Sequence, residues 1–480
     1  MLHDEIAWLG ADELARAYRE RRLSPVEVAQ ATLDRIEALN PKLNAFCLVD
    51  RESALADARA SEARWKRGEP IGPVDGVPAS VKDLILTRGW PTLRGSLTTD
   101  RAGPWDSDAP ATARLREAGA VLLGKTTTPE FGWRGSTDSP LTGITRNPWR
   151  TDTTPGGSSG GAVAAVAAGL GPFALGTDGG GSIRIPAAFT GTVGLKAHYG
   201  RVPAWPLSPM GNVAHIGPQT RTVADCARLL EVIARPDSRD WTALPPETRE
   251  WSAVAAAGRH EGASGLRIGF SPRLGYVKWV DPRIERALEA AAKRFAELGA
   301  TVDEADPGFA DCSHAFRVHW FSSARHLLHR LPEDKFAQLD PGLREVVDYA
   351  SRYTITDWLD AQAERGQVAM AMGRFAQDYD LLLTPATAVL PFEVGRVMPE
   401  PPAGVEVGMA NDWTWWTPFS YPFNLTQQPA IVLPCGFSDD GLPIALQLVA
   451  PNFREDLCLR AAAAYEAATD WHKRRPPLGV

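Results

Sequence analysis

Gly156-Gly157-Ser158-Ser159-Gly160-Gly161 runs directly into the small-residue stretch Ala162 to Ala168, and Gly176-Thr177-Asp178-Gly179-Gly180-Gly181-Ser182-Ile183-Arg184 follows shortly after. The Ala/Val run reads as a helix opening behind a glycine-rich loop, and side chains that small imply close packing on neighbouring backbone. Upstream, Val77 to Leu86 and Val121 to Leu123 read as strands bounded by Gly or Pro, with Ala109 to Ala118 as the helix between them. That alternation is the mark of an α/β sheet. Ser24-Pro25-Val26-Glu27 combines a capping serine, a first-turn proline and a reciprocal glutamate, so a helix is expected from there toward Leu39. Downstream, Leu266 to Phe270 reads as a strand and Asp281-Pro282 caps a helix reaching Leu298. The stretch from Ala310 to Ala376 reads as largely helical. Leu381 to Leu383, Ile431 to Leu433 and Ile444 to Val449 read as buried strands. Pro236 to Ser264, rich in Pro, Gly, Ala and charge, reads as a surface connection, and no repeat of fixed period is present.

The 480 residues include 44% hydrophobic and 23% charged side chains, which is ordinary globular usage and excludes a disordered, collagen-like or coiled-coil chain. A net charge of -7 with no concentrated basic face argues against nucleic acid as a partner. Cys47, Cys226, Cys312, Cys435 and Cys458 are odd in number and widely spaced, which suits a reducing compartment. The N-terminus lacks the basic start and apolar run of a signal peptide, and the longest small-apolar stretch is cut by Gly169, Gly171 and Pro172. A cytoplasmic protein with no membrane contact is expected.

Three motifs compete for the chemistry. Gly119 to Thr126 fits the phosphate-loop pattern G-x-x-x-x-G-K-[ST], but Ala120-Val121-Leu122-Leu123 between its glycines reads better as strand than as flexible loop. A nucleotide-binding protein is the alternative this motif leaves. G-x-S-x-G occurs twice in overlap, around Ser158 and Ser159, yet the polar segment Asn147 to Pro155 before it is no buried strand, as a nucleophile elbow needs. The third candidate combines Lys82, the serine-glycine loop and Gly176 to Arg184.

This last combination resembles the amidase-signature family of hydrolases. The likeness continues through Gly191 to Lys196, Tyr199 to Val202, Gly72 to Pro78, Glu130-Phe131 and Gly441 to Val449. It implies one large α/β domain spanning 1–480, with a central mostly parallel or mixed twisted sheet covered by helices on both faces. Residues 70–203 would be the signature core, and 204–480 the remaining sheet, helices and substrate-shaping loops. It also implies that Ser182 is the nucleophile, that Ser158 bridges it to Lys82, and that the Gly157–Ser158 peptide is cis.

An amide resists cleavage because its carbonyl is resonance-stabilised and its nitrogen leaves only when protonated, so a serine needs a base that later acts as an acid. Lysine fills that role when burial disfavours its charged form; a salt bridge from Lys82 to Asp83 is the competing reading. Gly179, Gly180, Gly181 and Ser182 offer unobstructed N–H groups for an oxyanion. Gly179 stands where many relatives carry a larger residue, which suggests a roomier site. Gly157, Ser159, Thr177, Asp178 and Arg184 are assigned supporting roles, Asp178 and Arg184 in holding the loop, with Ser159 either a second partner in the relay or a helix cap.

No cofactor is called for, and His314, His319, His326 and His329 read as helix packing rather than a metal site. Trp413, Trp415, Trp416, Phe419, Tyr421 and Phe423 crowd one segment. Trp413, Trp416 and Phe419 are candidates for the wall of a pocket taking a neutral apolar or aromatic amide, or a carbamate. Water and a small amide are then the partners, in a monomer or homodimer. Within the family, the glutamine-hydrolysing component of a transfer-RNA amidotransferase is the alternative.

Overall fold

The computed structural model describes residues 3–405, 407–409 and 411–479. In chain order its strands are β1 (Phe46–Val49), β2 (Pro78–Lys82), β3 (Val121–Thr126), the short pair β4 (Asp138–Ser139) and β5 (Gly143–Ile144), β6 (Phe173–Asp178), β7 (Val193–Lys196), β8 (His215–Thr220), β9 (Arg267–Phe270), β10 (Thr301–Glu304), β11 (Leu381–Pro385), β12 (Ala430–Phe437) and β13 (Pro443–Val449). All but β4 and β5 join one eleven-stranded sheet in the order β1-β3-β2-β6-β8-β7-β12-β13-β11-β9-β10. The sheet is mixed rather than mostly parallel. β3, β2 and β6 run parallel at one wing, and β11, β9 and β10 at the other. The strands between them, from β6 through β13 to β11, pair antiparallel. Strands β2, β3 and β13 are buried along their whole length, as strands covered on both faces must be.

Local signals account for most elements. The Pro25–Leu43 helix is opened by Ser24 Oγ accepting from Glu27 N–H while the Glu27 carboxylate accepts from Ser24 N–H, and it ends at Asn44 in the left-handed region. The Gly160–Ala167 helix is buried at every residue. A side chain at Gly161 would meet the Thr127 backbone at 2.4 Å, which is why this helix opens on glycine.

Two expectations are corrected. Pro236 to Ser264 is not all connection: Trp251–Glu261 is a helix, drawn in by the packing of Trp251, Ala255 and Gly258, the last facing the Arg460 backbone. The second strand stops at Lys82 instead of Leu86, because the chain turns there, with Ile85 N–H donating to the Lys82 carbonyl. Leu84, Ile85 and Leu86 are thereby released from the ladder to line a cavity.

Candidate active site

Lys82 ends β2, and its side chain is wholly buried. Its Nζ lies 2.7 Å from Ser158 Oγ, 2.9 Å from Ser159 Oγ and 2.8 Å from Thr177 Oγ1. Three hydroxyls therefore surround the amine, and among the described residues no carboxylate bonds to it. Burial lowers the Lys82 pKa well below the ordinary value, opposed only by the more distant charge of Asp178. A neutral amine has two N–H groups and one lone pair, so three contacts satisfy it completely. Ser159 Oγ donates to the Thr177 carbonyl and accepts from Thr177 N–H, so it can only receive a hydrogen from Lys82. With one amine hydrogen spent there, the second hydrogen and the lone pair are divided between Thr177 and Ser158.

The Gly157–Ser158 peptide is cis, and Gly157 is pressed against the Ser136 backbone, which a side chain would meet at 2.6 Å. Ser158 and Ser182 line one cavity of about 430 Å³. Ser159 N–H donates to the Ser182 carbonyl at 3.2 Å, but no hydrogen bond joins the Ser158 and Ser182 hydroxyls among the described residues. Ser159 is no helix cap: its side chain makes no capping bond.

The loop between β6 and the Arg184–Thr190 helix is held from below. The Asp178 carboxylate accepts from Gly181 N–H, Ile183 N–H, both faces of the Arg184 fork and Asn424 Nδ2. Burial alone would raise its pKa, but Arg184, Lys196 and Asn424 together hold it far below the usual carboxylate range. Arg184, fully buried, also donates to the Ser420 carbonyl, Gln447 Oε1 and Asn424 Oδ1. Gly181 N–H is thus consumed by Asp178 and drops out of the expected oxyanion set, while among the described residues the N–H groups of Gly179, Gly180 and Ser182 have no bonded acceptor. Asn424 and Ser420 lie in a distant C-terminal segment with no motif of its own, and Gln447, although inside the Gly441 to Val449 likeness, carries no role that the sequence alone assigns.

Trp413, Trp416 and Phe419 are 2%, 0% and 0% exposed and line no part of the cavity, which corrects their expected place. They are the backing of the site. Trp413 and Phe316 fill the space beside Gly180, Ser420 packs on Gly181, and Trp416 lies against Gly135. The cavity wall comes from elsewhere: Leu84 to Leu86, Phe131, the segment from Trp205 to Met210, Trp320 and Leu327. The Gly179 position is not roomier either. The Trp320 ring stands 2.6 Å from where a side chain at Gly179 would begin, and Trp320 Nε1 fixes the ring by donating to the Trp133 carbonyl at 3.0 Å.

The phosphate-loop match lies along β3. Its Lys125 is buried, donating to the Ile85 carbonyl and Thr92 Oγ1 at 2.7 Å each, with Asp83 at 3.6 Å. Asp83 therefore serves Lys125, not Lys82. His314, His319 and His326 lie on the Ser313–Leu328 helix, with His329 just after it. His319 packs on Trp358, and among the described residues no three His, Cys, Asp or Glu side chains are grouped to hold an ion.

The sequence model of the Amidase family matches residues 27–459. An acylamidase of Rhodococcus erythropolis is 40% identical, with 99% of this chain and 98% of the relative aligned. The A-type component of the glutamyl-tRNA(Gln) amidotransferase of Chloroflexus aggregans is 36% identical over 99% of both chains. Among solved structures, a bacterial aryl acylamidase of the amidase-signature family superposes with a TM-score of 0.89 at 30% identity, covering 98% of this chain and 99% of that one.

Proposed function

This chain belongs to the amidase-signature family of amide-hydrolysing enzymes, and on that premise we propose that it is a free-standing amidase acting through an acyl-enzyme on Ser182. Its substrate is an apolar or aryl carboxamide, with carbamates within the same chemistry. The observation carrying this reading is the Lys82 amine, buried among three hydroxyls with no bonded carboxylate among the described residues and opening through Ser158 onto the cavity that Ser182 shares.

Ser182 Oγ adds to the carbonyl carbon while its proton passes to Ser158 Oγ and the proton of Ser158 passes to the Lys82 lone pair. The oxyanion is met by the N–H groups of Gly179, Gly180 and Ser182, whose loop Asp178 and Arg184 hold in place before substrate arrives. Lys82 then returns the proton through Ser158 to the departing nitrogen, the C–N bond breaks, and water repeats the relay to release the acid.

The glutamine-hydrolysing alternative draws on relatives such as the Chloroflexus aggregans amidotransferase component. Glutamine carries an ammonium as well as a carboxylate, and among the described residues lining the cavity no acid is present to take the ammonium. Cysteines without disulfides fit a cytoplasmic site of action, and among the described residues no helix is long and apolar enough to cross a membrane.

An active-site serine probe followed by peptide mass spectrometry tests the assignment. Label is expected on Ser182, and Ser182→Ala is expected to lose amide turnover by about 10⁴-fold or more while keeping its melting profile. Label on Ser159, or undiminished activity in Ser182→Ala, would remove the proposed nucleophile.

A further inference from the structure

The cavity holding Ser158 and Ser182 is walled by apolar side chains and neutral hydroxyls, with two exceptions, His215 and Arg94. Burial, with Lys196 beside it, holds the His215 pKa well below its ordinary value and so favours the neutral ring. Among the described residues Arg94 is therefore the one charged side chain facing that space, and no carboxylate faces it there.

Its setting shows that this cation is placed, not stranded. Arg94 is a non-glycine residue in the left-handed region, at φ 60°, and so is Phe131 at φ 51°. Such backbone persists only where the surroundings enforce it. Here Arg94 N–H donates to the Asp83 carbonyl at 3.1 Å, and Phe131 N–H donates to the Arg94 carbonyl at 2.8 Å. Gly132, next in the chain, backs onto Ser158, where a side chain would come within 3.2 Å of Oγ. Arg94 is thus fixed to the catalytic floor through a single peptide step.

Among the described residues the guanidinium makes one long bond, from Nη1 to the Thr92 carbonyl at 3.3 Å. Among the described residues it has no ion pair. Asp83, the acid whose field reaches it, is committed to Lys125. A half-buried guanidinium with most of its five donors unused has lost part of its hydration without receiving an anion in return. The ligand that best completes such a fork is a carboxylate, bound by two parallel N–H···O bonds.

We propose that Arg94 is a specificity-determining residue that pairs with a carboxylate on the substrate, so the preferred amides are apolar around the scissile bond and anionic at one end. This rests on the amidase reading above and narrows the neutral substrate expected from the sequence. It leaves the chemistry at Ser182 unchanged.

Two matched pairs of anilides test it. N-phenylsuccinamate against butyranilide places the carboxylate on the acyl side, and 4-acetamidobenzoate against acetanilide places it on the amine side. In the wild-type enzyme the charged member of one pair should have the higher kcat/KM by about tenfold or more, expressed mainly in KM. In Arg94→Met that ratio should collapse by about tenfold, and Arg94→Lys should retain part of it, because an ammonium keeps the charge and loses the fork. A ratio near one in both wild-type pairs, or a ratio that Arg94→Met leaves untouched, overturns the assignment. If Arg94→Met fails to fold, the comparison falls to Arg94→Lys, where a ratio equal to wild type overturns it. Hydrolysis without charge preference sinks Arg94 alone. Absence of any anilide turnover together with absence of label on Ser182 sinks the amidase reading itself.

Discussion

Lys82 and Lys125 are two fully buried lysines on adjacent parallel strands, one residue out of register, since Val81 pairs with Lys125 and Lys82 with Thr126. That offset sends them to opposite faces of the sheet. Both side chains are wholly buried. What separates them is company: Lys82 meets hydroxyls alone, whereas Lys125 meets a carbonyl, a hydroxyl and the Asp83 carboxylate. Burial lowers both pKa values, but Asp83 opposes the effect at Lys125, which settles at about 8, while nothing close opposes it at Lys82. A buried lysine becomes a base or a brace according to whether an acid stands within reach.

The largest break in this comparison should come from Lys82→Met. Loss of the proton relay is expected to cut kcat/KM on an anilide by about 10³-fold, within the usual range for a general acid–base group. The loss should be much smaller on an activated ester, whose leaving group needs little proton assistance; equal losses on both would demote Lys82 from base to scaffold. Lys125→Met should act on stability instead. It leaves Asp83 buried without its cation and frees the turn at Ile85 and Thr92, a cost of about 3 kcal/mol in chemical denaturation. An unchanged denaturation midpoint would contradict the bracing role. The smallest effects are in pH.

Lys82 must be neutral to accept a proton, so kcat/KM on amides should rise with pH along a limb lying well to the acid side of 10.5. Lys125, at about 8 in the folded chain against 10.5 unfolded, gives its signal in stability instead of rate. Between those values the unfolded state holds the extra proton, so this residue's contribution to stability increases as pH rises from about 8 to 10.5. Denaturation at both ends of that window should show a larger increase in wild type than in Lys125→Met, because Lys82 and Lys196, lowered in the same direction, contribute a rise of the same sign to both.

Much of this was legible in the chain. The Gly156–Gly161 and Gly176–Arg184 stretches, with Lys82, carry the resemblance to the amidase-signature family, and it is that resemblance that implies a relay. The coarse α/β alternation was legible through Gly and Pro punctuation. The cavity wall was not. Arg94, Trp205 and Trp320 come from separate loops and a helix, and each is an unremarkable residue until the fold brings it beside Ser182. The Trp413 to Phe423 segment misled in the other direction. A cluster of aromatics in a Pro-containing stretch reads the same whether it faces substrate or, as here, supports the glycine loop from behind, and only the 0% exposure of Trp416 and Phe419 separates the two. Ser159 looked like a cap because it precedes a helix, but Lys82 and Thr177 claim its hydroxyl.

The contact between Gly179 and Trp320 also dictates an order in which this site can diverge. Trp320 can be replaced by a smaller residue while glycine stays at 179, and the cavity simply widens. The reverse first step is blocked, because any side chain at 179 starts 2.6 Å from the indole. A substitution at 179 is therefore expected to follow displacement or loss of the tryptophan, so the two positions can change readily in one order and with difficulty in the other.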